Sequence, residues 1–202
     1  MKKVLFYRRK HSSTADSAYL YRSSTLVLLY SVFFCGLLFG GAASYAQEPM
    51  DTICEDLACV YLTNSPAAAA SIGAGSALLT AVAIGSFSLS PLGGLPLVSI
   101  SFIKGLKYAC IACTLLRRYS IRGLEYLALT VLPGAVLNIC ASTVLAAVGI
   151  SLAEQVASML IKGHNNGIVY KNYVPVIIKA SCALILSAAA DGITALLFAG
   201  LF

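Results

Sequence analysis

The chain has 202 residues, 59% of them hydrophobic and only 11% charged, with a mean hydropathy of +0.86 and a net charge of +6. An ordinary soluble domain carries about 25% charged residues, so this chain has too few to coat a soluble fold. Several runs also exceed the roughly 18–20 apolar residues that cross a bilayer as a helix, and the reading is an all-α polytopic membrane bundle of about five spans.

Residues 1–24 form a polar, basic tail with Lys2, Lys3, Arg8, Arg9, Lys10 and Arg22 against Asp16 alone. Lying directly before an apolar run, this charge is explained by the positive-inside rule and anionic lipid, which makes membrane lipid the partner and excludes a nucleic-acid role. The rest, 25–202, is one transmembrane helix-bundle domain. Its first span is 25–46, in which Gly36 and Gly40 make a small-xxx-small face for close packing, and a homo-oligomer stays open. Ser44-Tyr45-Ala46 resembles a signal-peptidase site, so a cleaved leader over 1–46 competes with a retained helix. The long preceding tail and the later spans favour retention.

Residues 47–66 carry Glu48, Asp51, Glu55 and Asp56 with no lysine or arginine, which reads as an outer loop and puts the N-terminus in the cytoplasm. Cys54 and Cys59 share that loop and would pair if it is extracytoplasmic. The other five cysteines lie in apolar runs as small hydrophobes, and Cys110-x-x-Cys113 lacks the strand–helix context of a redox motif. The second span, 67–89, is rich in Ala, Gly and Ser and should pack on other helices. A Pro/Gly turn follows at Ser90–Pro96.

The third run, 95–116, carries Lys104 and Lys107 one turn apart on one face. It either crosses fully or breaks at Gly105 into a re-entrant hairpin, and the two alternatives put the basic hinge 117–123 on opposite sides. The fourth span, 124–150, contains Asn138 and Pro133, and the proline should kink it and free a carbonyl for a polar partner. Residues 151–173 read as an interfacial segment ending near Gly163, with His164 a plain loop residue among asparagines. The last span, 174–202, holds one intramembrane acid, Asp191, whose natural counter-ion is Lys104 or Lys107. No nucleophile–base set, metal-ligand spacing or phosphate loop is present in the motifs, so neither an enzyme nor a cofactor or metal site is expected.

Four stretches resemble the stage II sporulation protein M family of five-span bacterial membrane proteins. They are Phe34–Gly40, the Phe102-Ile103-Lys104-Gly105 step, the basic turn Arg117–Leu124, and Leu132-Pro133-Gly134 with Asn138 to Ala141. Asp191 stands where an acid is expected in the last helix. This chain departs from the pattern in having Gly134 after the Leu-Pro and Cys140 where a second proline is common. The resemblance implies a non-catalytic scaffold in the bacterial cytoplasmic membrane, septal or engulfing. It would recruit secreted or membrane-anchored peptidoglycan hydrolases for engulfment during endospore formation. The alternative from the residues themselves is a small transporter or channel subunit using Lys104, Lys107 and Asp191.

Overall fold

The computed structural model describes residues 23–46, 66–162 and 170–198, and all of these are helical or in tight turns. In chain order the helices are α1 Ser23–Ala46, α2 Pro66–Ser88, α3 Gly94–Tyr119, α4 Ile121–Tyr126, a π-helical turn Leu127–Val131, α5 Leu132–Lys162 and α6 Tyr170–Phe198. Four stretches are long and apolar enough to cross a membrane: 23–44, 94–119, 121–161 and 173–194. The expected fifth span, 67–89, forms α2, whose described apolar stretch, Gly73–Ser88, is shorter than these four. The protein is a multi-pass helical membrane bundle.

Two expectations change. The third run does not break at Gly105: α3 is one continuous helix of 26 residues, which removes the re-entrant hairpin. Nor does an interfacial segment begin at 151, because α5 runs unbroken to Lys162. The reason is burial. Leu152 and Ala153 lie inside, Leu152 packs with Tyr173 of α6, and Gln155 Nε2 donates to Tyr173 Oη. Glu154 and Lys162 look interfacial in sequence, yet α6 supplies a partner that keeps the helix going.

α1 and α3 pack side by side in parallel. Gly36 meets the Phe102 carbonyl, Gly40 meets Leu106 and Ala109, and Arg117 Nη2 donates to the Ser44 carbonyl, so both numberings rise together. Gly105 completes the seam against the Phe33 carbonyl. A Cβ at Gly36 or Gly105 would collide with backbone, which is the close approach that small residues permit between membrane helices. α1 is thus a wall of this bundle, packed along α3.

α5 and α6 run antiparallel, paired through Asn138 with Ser187 and Gln155 with Tyr173. α5 is the central element: the most apolar part of its stretch is mostly buried, whereas the corresponding parts of the other three spans are mostly exposed. The main core joins Ala141, Leu145 and Ala146 of α5 with Leu29, Ile84, Leu97 and Leu184. α2 lies against α5 and α6, and its link to α3 is a tight turn closed by Gly93 N–H to the Ser90 carbonyl at 3.0 Å.

A continuous α3 parallel to α1 carries the basic hinge to the end of the bundle where α1 finishes, the same end from which the acidic 47–65 segment departs. At the hinge, Ser120 adopts φ 51°, ψ −127°, a conformation rare for a residue with a side chain. Gly123 lies directly on the Leu115 carbonyl, so the chain turns back without clearance. Cys54, Cys59 and His164 fall outside the described residues.

Candidate functional site

Two polar residues that the sequence singles out, Lys104 and Asn138, converge with a third that it does not, Ser187. Lys104 of α3 points its ammonium at Asn138 of α5, with Nζ donating to Oδ1. Lysine can only donate, so this contact fixes the amide: Nδ2 must face the other way. It does, donating to Ser187 Oγ of α6 at 3.2 Å, and Ser187 in turn donates to the Leu184 carbonyl at 2.7 Å. Each side chain in this relay donates once to the next, and it ends on a helix backbone. In a bilayer such a chain satisfies Asn138 and one of the three Lys104 protons.

Of the two lysines expected to balance Asp191, Lys107 is the one whose charge acts on it, through space and without a hydrogen bond. No ion pair within hydrogen-bonding reach joins Asp191 to Lys104, because Asn138 has taken that lysine. The Asp191 carboxylate lies against Gly134 of α5, so close that a Cβ there would overlap it, and Oδ1 is buried with no hydrogen-bond partner. Glycine after the Leu-Pro pair is therefore the residue that leaves the acid its space.

The proline shapes the same region. Pro133 has no N–H, and the preceding turn widens so that Leu132 N–H reaches the Leu127 carbonyl, five residues back. Beside this turn the Thr130 carbonyl accepts from Thr194 Oγ1 of α6 at 2.9 Å, although the carbonyl that the missing Pro133 N–H leaves free lies earlier in the helix. π-turns of this sort are frequent at functional sites.

Lys104, Lys107, Asn138 and Asp191 all line one cavity of about 550 Å³, to which α2 adds Ser76 and Thr80. Sequence reading missed the two α2 hydroxyls because each bonds its own helix backbone, Ser76 to the Gly73 carbonyl and Thr80 to the Ser76 carbonyl. The hydrophobic periodicity around them carries no distinguishing signal. Pro133 stands behind this cavity rather than in its lining.

The cavity lies near mid-membrane. Lys107 is thirteen residues from Gly94 and twelve from Tyr119, the two ends of the spanning stretch of α3, roughly 20 Å and 18 Å. Either value is a little over half the roughly 30 Å hydrocarbon thickness. Among the described residues no group of three His, Cys, Asp or Glu side chains is gathered to hold a metal, and Cys35, Cys110, Cys113, Cys140 and Cys182 are free thiols.

No protein-family model, curated protein or solved structure matches this chain.

Proposed function

We propose that the protein is a non-catalytic scaffold of the bacterial cytoplasmic membrane, of the stage II sporulation protein M type. In this reading it gathers peptidoglycan hydrolases at the septal or engulfing membrane during endospore formation. One observation carries it: each of the four stretches behind the family resemblance supplies a joint of the bundle. Phe34–Gly40 and the Lys104-Gly105 step make the α1–α3 seam, Arg117–Leu124 makes the turn off α3, and Leu132-Pro133-Gly134 seats Asp191. Such coincidence is what a shared architecture would produce.

Orientation fits the same reading. α1 starts at one end of the bundle and finishes beside the hinge at the other. With the basic N-terminal sequence in the cytoplasm, the exposed Arg118, Tyr119, Arg122 and Glu125 present an outer surface where a secreted hydrolase can be met. The test is a pull-down of tagged protein from detergent-solubilised sporulating cells, with mass spectrometry of what is retained. Hydrolases recovered, and lost when 47–66 is replaced, are the expected result. Failure to retain any hydrolase or other membrane partner removes the scaffold.

The cavity favours a second reading, a transport subunit. Loss of flux in vesicles carrying Asp191→Asn, with protein level unchanged, would support it. A fall in abundance alone would make Asp191 structural.

A further inference from the structure

The cavity between α2 and α3 has an imbalance that the bundle does not correct. It contains two ammonium groups, Lys104 and Lys107, and one carboxylate, Asp191. Neither lysine forms an ion pair with that acid, whose Oδ1 faces Gly134 at the back. Lys104 spends one N–H on Asn138 and keeps two. Lys107 makes no hydrogen bond with any described residue. One positive charge and several N–H donors therefore remain uncompensated at mid-membrane depth, where an unpaired charge is costly.

The shape says how that charge is reached. The two helices bounding the cavity, α2 and α3, touch each other little. At the rim stand Leu79 and Ile103, 72% and 60% exposed. The mouth thus opens sideways through an apolar edge onto a polar floor. The volume, about 550 Å³, lies within the roughly 300–1,000 Å³ of small-molecule sites and is too confined for another helix.

We propose that this cavity binds one oxyanion of the phosphate class, held between the ammonium groups of Lys104 and Lys107. Lys104 is the pre-positioned donor, because Asn138 and Ser187 hold it in place. Lys107 is the free arm that closes on the ligand. Asp191 offsets one of the two lysine charges, so the site selects a group with a net charge of about minus one. A phospholipid phosphodiester can enter through the apolar mouth and leave its chains at Leu79 and Ile103. Inorganic phosphate would instead enter from water. The inference does not depend on the scaffold reading, since hydrolase recruitment and anion binding are measured separately.

The test uses the full-length protein in detergent, with binding read by native mass spectrometry and thermal shift. The probes are short-chain phosphatidylglycerol, phosphatidylcholine of equal chain length, and inorganic phosphate. The expected result is one phosphatidylglycerol per chain, at least tenfold weaker binding of phosphatidylcholine, and at least tenfold loss in Lys107→Met. Inorganic phosphate binding with the same lysine dependence would support the oxyanion site and assign its ligand to the aqueous phase. Thr80→Phe fills the cavity from α2 without touching a charge and should abolish binding equally; it serves if Lys107→Met does not fold. Absence of binding by both anionic probes overturns the proposal, as does binding that a folded Lys107→Met or Thr80→Phe variant leaves unchanged.

Discussion

α3 meets two neighbours in opposite ways. Toward α1 it offers Gly105 and receives Gly36 and Gly40, so backbone lies on backbone and nothing can enter. Toward α2 it offers Lys104 and Lys107 and leaves a gap of about 550 Å³. Gly105 and its lysine neighbours are adjacent in sequence, yet one turn of helix separates a sealed joint from an open one. Membrane helices gain little from merely hiding apolar surface, since lipid is equally apolar. Tightness must come from small residues, and a gap persists where long polar side chains hold the helices apart.

The largest effect should follow from forcing the sealed side open. Gly105→Leu drives a side chain into the Phe33 carbonyl, and neither backbone can yield locally. The loss should match or exceed the roughly 1–3 kcal/mol usual for overpacking, seen as aggregated or degraded protein on extraction and a lower melting temperature in detergent. On the open side, Asn138→Leu removes the Lys104 acceptor and leaves the lysine unpaired, at a cost of about 1.5–3 kcal/mol. Adding Lys104→Met should recover most of that loss, because the stranded charge goes with it. A double variant no better than Asn138→Leu alone would show that the relay serves packing rather than charge.

Smaller changes sharpen the picture further. Gly134→Ala must displace the Asp191 carboxylate, and a loss of about 1–2 kcal/mol in denaturant titration is expected. Thr194→Val uncaps the Thr130 carbonyl beside the π-turn and should cost about 0.6 kcal/mol, the average for interhelical hydrogen bonds in membranes. If Thr194→Val proved as damaging as Gly105→Leu, the contrast between a rigid seam and a yielding gap would be wrong.

Much of this was legible in the chain, for a physical reason. Polar residues are so rare in its apolar runs that Lys104, Lys107, Asn138 and Asp191 identify themselves, and a bundle has few places to put them. Which of them touch was not legible. By charge Asp191 could have balanced either lysine; the heights at which α3, α5 and α6 meet gave Lys104 to Asn138 and left Lys107 to act on the acid through space. Nothing local encodes those heights. The α5 extension past 150 was hidden for a related reason: Glu154 and Lys162 are read by their own polarity, whereas Leu152 is buried by Tyr173, some twenty residues on. The α2 hydroxyls resemble any others in an Ala/Ser-rich helix until α3 stands opposite.

The length of the helical rod from Ile121 to Ile161 has a consequence for depth. Its 41 residues extend about 60 Å, twice the hydrocarbon thickness, and no modest tilt absorbs the excess. Matching of hydrophobic length along this rod therefore cannot set how deeply the protein sits; the other three spanning stretches, of 22, 26 and 22 residues or about 33–39 Å, do that. Because the rod starts at the hinge, level with the end of α3, its surplus must emerge at the Ile161 end, as a helical post standing clear of the hydrocarbon.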